Sequence, residues 1–451
     1  MEEILDLINK NWNFIVGILI FIVLLFFLSL SNINYSLLLW IFFWLSLFLL
    51  TSSIEKNFIS PIWIVFLCYL TYCGLRPGYL IFYKIDPFLF NIFPVDSSIY
   101  LTTFYLIISS YIPICLGYLF SNYIKFQSPI QKSTSISEGF LVLSTIFFQA
   151  FVVISAFIII INFGGLNQII SLQSSLVLLI PESALIVRLA WIFILISFIP
   201  STLMLIRFGY DWRVLALLLI NTTIGLIFGR RLAILSIGMP IIVYHYYYIK
   251  SFTPFKGIIY YFLSLIFLVS IVAIRISNSS LAGISIIEES GEFFIWDMIM
   301  SIVNSYGVDT DFRMGADFLP KWIQLYFSID GGLAINESMG QSLVSIYYPF
   351  YAAGVPPSFI GILFMQGGYS ILAILSFLYG IFLKIIHNHF KERIFNKIYF
   401  LILYPFLLIS IFHFTRLGDF WPTIIAQSRI FLSIFLIFTL INNVRIEKKY
   451  S

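Results

Sequence analysis

The chain alternates long uncharged apolar runs with short clusters that carry nearly all of its charge. Residues 11–54 hold no charged side chain and are interrupted only at Ser31-Asn32-Ile33-Asn34, which predicts two helices joined tightly. A helix crosses the hydrocarbon layer in about 20 mostly apolar residues. By that measure further spans are expected at 57–75, 97–120, 139–162, 189–206, 212–229, 232–249, 257–274, 358–383, 397–415 and 423–443. The pattern therefore predicts an all-α polytopic membrane protein of about 12 transmembrane helices. The stretch 163–185, from Phe163-Gly164-Gly165 onward, is apolar but interrupted, and is expected to be interfacial or re-entrant. There is no internal repeat and no low-complexity tract.

Composition agrees with the pattern. Of 451 residues, 61% are hydrophobic and 10% charged, with 50 Phe and 27 Tyr, where soluble domains average about 45–50% apolar and 25% charged. A water-soluble fold of this size cannot hide so much apolar surface. A soluble enzyme, a nucleic-acid binder and a disordered scaffold are excluded. Cys68, Cys73 and Cys115 lie in or beside apolar runs and have no metal spacing, so they are expected to be small packing residues. Met1 to Asn11 carries Glu2, Glu3 and Asp6 and lacks a basic region, so the first apolar run is expected to be retained rather than cleaved.

Charge placement orients the helices. With the N-terminus inside, the inner segments hold 15 basic residues and the outer segments 9, as the positive-inside rule favours. Both termini are then cytoplasmic. Residue type separates more sharply: 11 Lys and 4 Arg inside, 2 Lys and 7 Arg outside. The outer arginines are Arg76, Arg188, Arg230, Arg231, Arg275, Arg313 and Arg416. A planar bidentate donor holds phosphate or carboxylate better than an ammonium does. The plainer alternative is that these arginines pair with outer acids or snorkel to headgroups.

This topology divides the chain into residues 1–275 with nine helices, an outer segment 276–356, and residues 357–451 with three helices and a cytoplasmic tail. An outer segment of about 80 residues is long for a loop. Phe293-Phe294-Ile295-Trp296 and Met298-Ile299-Met300 predict a helix lying in the interface. Asp309, Asp311, Arg313 and Asp317 then alternate with small residues. Tyr347, Tyr348 and Tyr351 precede Gly354-Val355-Pro356-Pro357. Rings among polar groups suit sugar binding, or else form an interfacial aromatic belt.

No phosphate-binding glycine loop, metal-ligand cluster or nucleophile motif is present, so no cofactor and no metal are expected. His245, His387 and His389 map inside, and the last two read as solvated or headgroup-facing. His413 is the outer histidine and a candidate general base. Gly229-Arg230-Arg231 sits at an outer turn, where two adjacent guanidiniums cannot both face lipid. Arg275 closes a helix at the same face. Arg429 lies about 12 Å below the outer end of its helix, at 1.5 Å per residue.

These features resemble the Wzy-type O-antigen or oligosaccharide repeat-unit polymerases of the bacterial inner membrane. The resemblance rests on Gly229-Arg230-Arg231-Leu232-Ala233 opening a helix, on the long outer segment, and on Gly354-Val355-Pro356-Pro357-Ser358-Phe359-Ile360-Gly361 leading into Gly367-Gly368-Tyr369. Gly380 and Arg416-Leu417-Gly418-Asp419-Phe420 complete it. Such polymerases often carry a glutamate after the glycine matching Gly361, where this chain has Ile362-Leu363. The resemblance implies a GT-C-like glycosyltransferase that polymerises undecaprenyl-pyrophosphate-linked repeat units at the periplasmic face. No cofactor or nucleic acid is implied, and a chain-length regulator is an implied partner. It implies Arg230, Arg231 and Arg275 on the donor pyrophosphate and Arg313 and Arg416 on either pyrophosphate. His413, Asp309, Asp311 or Asp419 would activate the acceptor hydroxyl. An O-antigen ligase and a lipid-linked oligosaccharide flippase are the competing readings.

Overall fold

The computed structural model describes residues 36–78, 97–121, 138–162, 164–166, 198–227, 231–277, 294–308, 311–313, 357–391 and 398–418. Among them every regular element is helical: α1 (Ser36–Ile54), α2 (Pro61–Tyr69) running into a π-turn at Leu70–Leu75, α3 (Ser97–Phe120), α4 (Glu138–Asn162), α5 (Phe198–Phe208), α6 (Trp212–Ile227), α7 (Arg231–Tyr244) with a π-turn at His245–Ile249, α8 (Pro254–Ser277), α9 (Phe294–Ser305), α10 (Ser358–Met365), α11 (Gly368–Lys391) and α12 (Ile398–Leu417). The first of the two helices expected in 11–54, residues 189–197 of the span expected at 189–206, and the span expected at 423–443 lie outside the described residues.

Among the described residues, three helices are long and apolar enough to cross a membrane: Leu101–Phe120, Thr145–Asn162 and Gly368–Lys391. α4 turns Leu143, Phe147, Ile154, Phe157 and Ile161 outward, an exposed apolar stripe of the kind a lipid-facing helix presents. Hydroxyls inside the apolar helices bond back to their own backbone, as Thr51 of α1 does to Leu47 (2.7 Å) and Ser110 of α3 to Leu106 (2.6 Å). That lets a polar residue sit in an apolar run without an unmet hydrogen bond.

The most extensive pairing joins α3 and α11, which run parallel. A methyl added at Gly380 would overlap the Ile114 carbonyl, and one at Gly117 would overlap the Phe377 carbonyl. The two backbones touch because both glycines lack a side chain. Gly380 thus has a packing role. Gly380→Ala is expected to force the helices apart and cost about 1–3 kcal/mol, read as a lower Tm in detergent.

Contacts at the ends define the helix directions. One end gathers the α1–α2 turn, Tyr118, Tyr210, the π-turn after α7, and Tyr404. Asn57 Nδ2 donates to Tyr247 Oη (2.7 Å) and Tyr404 Oη to the Ile59 carbonyl (2.7 Å). The opposite end gathers Arg76, Thr103, α9, residues 311–313, α10 and the end of α12. Trp296 Nε1 donates to Thr103 Oγ1 (3.1 Å) and Ser358 Oγ to the Thr415 carbonyl (2.9 Å).

Two expectations are corrected. The run 358–383 is not one helix. Gly368 takes a left-handed φ of 67° and separates the eight-residue α10 from α11. α9 does not turn its apolar face to lipid: Ile295, Trp296, Met298, Ile299 and Met300 are all buried, and the helix packs against α10.

Candidate functional site

The helix directions sort the described cations by type. Arg76, Arg231, Arg275, Arg313 and Arg416 fall at the end that holds α9 and α10, and no described lysine does. Lys56, Lys250, Lys256, Lys384 and Lys391, with Arg207 and Arg213, fall at the other. Residue type alone does not dictate this, since either cation satisfies topology.

At the arginine end α10 acts as a spacer. Its C-terminal carbonyl at Met365 accepts the backbone N–H of Arg313 (2.9 Å), and Phe312 packs on Phe364 with ring centroids 6.1 Å apart. Phe312 also fills the space above Gly368, where a side chain would collide with its ring. At the other end of α10, Ser358 sits at φ 62° and its Oγ bonds the Thr415 carbonyl. A non-glycine residue held there stores strain. Gly418, at φ 71°, closes α12 against the Ser358 carbonyl, and its N–H bonds the Phe414 carbonyl (2.8 Å). Arg416 stands in that last turn, where the helix dipole favours a cation. The segments bearing Arg313 and Arg416 are thereby seated on the two ends of α10, about 10 Å apart at 1.5 Å per residue.

A further pair lies beside them. Arg76 Nη2 meets Asp297 Oδ2 at 3.4 Å, with both side chains buried. This ties α9 of the long connecting segment to the end of the α2 π-turn. Burial raises the Asp297 carboxyl to about 6 from its ordinary 3.8, against the pull of Arg76.

Of the residues singled out from sequence, Arg313, Arg416 and half-buried His413 are brought to this end, with exposed Asp311 beside Arg313. Arg231 opens α7 and Arg275 stands near the end of α8, both at this end by backbone position. Asp309, Asp419, Arg230 and Arg429 lie outside the described residues, as do Tyr347, Tyr348 and Tyr351.

The opposite end holds a buried network that sequence reading missed. Glu55 Oε2 accepts from Lys384 Nζ (3.1 Å) and Tyr118 Oη (3.1 Å) and lies 3.5 Å from His387 Nε2. Its Oε1 accepts the Asn57 N–H (3.2 Å). The Lys384 ammonium sits over the Tyr118 ring, 4.5 Å from its centroid. His387 Nδ1 and Tyr404 Oη are 2.9 Å apart. His387 was expected to be solvated and is instead fully buried, because α11 continues past 383 and α12 covers that face. His389, two residues on, is exposed as expected. The available signal was the three-residue spacing of Lys384 and His387, which puts both on one helix face.

No family model, no curated protein and no solved structure matches this chain.

Proposed function

We propose that this protein is a Wzy-type polymerase of about 12 transmembrane helices and GT-C-like architecture in the bacterial inner membrane, with both termini cytoplasmic. It transfers a growing glycan from undecaprenyl pyrophosphate to a new lipid-linked repeat unit at the periplasmic face. The observation that carries this reading is the gathering of arginines, with no lysine among the described residues, at the end where the long connecting segment docks. The leaving group is a lipid pyrophosphate, and fixed guanidiniums stabilise the charge it develops. Arg230, Arg231 and Arg275 hold the donor diphosphate. Arg313 and Arg416, seated on α10, hold either diphosphate, and Arg429 is a further pyrophosphate ligand. His413, Asp309, Asp311 or Asp419 takes the proton of the attacking hydroxyl. The lipid-linked glycan and the surrounding lipid are the partners, with a chain-length regulator acting beside them.

Deletion in the native host, followed by gel analysis of surface polysaccharide, tests the reading. A polymerase deletion leaves a single repeat unit on the lipid A core. Unattached polymer on the carrier lipid would mean an O-antigen ligase, and no repeat unit outside would mean a flippase. Charge-assisted contacts contribute roughly 1.5–3 kcal/mol each, so Arg231→Ala and Arg416→Ala are each expected to cut polymer synthesis about tenfold to a hundredfold at normal protein level. Full-length ladders in both would sink the arginine mechanism.

A further inference from the structure

The turn between α5 and α6 and the stretch from the α7 π-turn into α8 meet at the lysine end. Tyr210 Oη and His245 Nδ1 are 3.2 Å apart, and the Tyr210 ring stands edge-on to Tyr244, centroids 5.9 Å apart. Gly209, at φ 64°, brings the turn in against the Tyr244 hydroxyl. The shelf so formed carries four exposed cations, Arg207, Arg213, Lys250 and Lys256. The acid within it, Asp211, is engaged with the backbone N–H of Arg213 (2.8 Å). Large rings stand out among the cations: Trp212 is 71% exposed and Phe255 66%. The Arg213 guanidinium lies 5.7 Å from the Trp212 ring centroid.

We propose that this shelf binds the headgroups of anionic phospholipid. Exposed cations call for an anion, and amphipathic or apolar rings between them call for the boundary of an apolar phase. Below the shelf the surface is apolar, with Leu219, Leu263 and Ile266 turned outward, which is where acyl chains lie. A soluble polyanion matches the charge but leaves Trp212, Phe255 and those aliphatic side chains in water. The inference is independent of the polymerase reading, because it concerns the end opposite the arginines and no catalytic group.

The test titrates the full-length protein in neutral detergent with phosphatidylglycerol, phosphatidylcholine or soluble glycerol phosphate, reading bound lipid by native mass spectrometry. With a net charge of about three on the shelf, phosphatidylglycerol is expected to bind about a hundredfold more tightly than phosphatidylcholine. That preference should fall as salt is raised, a readout that needs no variant. It should disappear in the combined Arg207→Gln, Arg213→Gln, Lys250→Gln and Lys256→Gln variant, whose changes are all on the surface. Equal binding of the two lipids, a preference that survives in the variant, or equal binding of soluble glycerol phosphate would each overturn the proposal.

Discussion

Glu55→Gln is expected to be among the most destabilising single changes in the chain, lowering stability by about 3–5 kcal/mol near neutral pH. The carboxylate is buried, and burial by itself raises its pKa. The charge and hydrogen bond of Lys384 and the Asn57 N–H, with the His387 ring beside them, outweigh that and hold it below the usual carboxylate range. The folded state therefore favours the ion. Stability from this group is present above the unfolded carboxylate pKa and is lost as pH falls through the lower folded value. Glutamine keeps the shape and removes the charge, leaving the Lys384 ammonium buried against a neutral amide. Unfolding in detergent at a series of pH values checks this: the gap between wild type and variant should close as acid titrates Glu55. Tyr118→Phe removes one donor and should cost about 1 kcal/mol. A Glu55→Gln protein as stable as wild type at neutral pH would mean the network contributes nothing net.

Asp297→Asn is expected to act in the opposite direction. Here the contact with Arg76 is long at 3.4 Å, and burial outweighs it, so the carboxyl is raised to about 6. The folded state binds this proton more tightly than the unfolded chain does. The associated stability is complete below about pH 4 and lost as pH rises through about 6. Over that interval, at about 1.4 kcal/mol per pH unit, the loss reaches about 3 kcal/mol. Asparagine, neutral at every pH, should escape it. The variant should match wild type near pH 4 and exceed it by up to about 3 kcal/mol above pH 7. A flat wild-type profile between those values would refute it. Since Asp297 ties α9 to the arginine end, a carboxylate that costs stability there is a feature to expect of a functional site rather than of a core.

Much of the helical plan was legible. The apolar runs at 97–120, 139–162 and 212–229 correspond to α3, α4 and α6 with ends displaced by two residues or fewer among the described residues. Such runs have a single low-energy answer in an apolar phase, because only a helix satisfies its own backbone. The break in 358–383 was harder to see. Gln366-Gly367-Gly368 is short and uncharged, and hydropathy averages over it, although the paired glycines were the local sign of a turn. The site was partly legible. Arg313 and Arg416 could be singled out by type, but the α10 ends that seat them could not. Glu55 and Lys384 are 329 residues apart, and no pattern along the chain joins them.

The sequence by itself determined the apolar runs, most of the helices and the bias of lysine and arginine to different segments, because hydropathy and charge act locally, residue by residue. Tertiary structure alone decided which charges are buried together and which of them the fold favours. Whether a buried carboxyl ends above or below its ordinary range depends on the donors that oppose burial, and most of those are supplied by segments remote in the chain. Glu55, with close donors on α3, α11 and its own turn, is held below that range, while at Asp297 burial outweighs the Arg76 guanidinium.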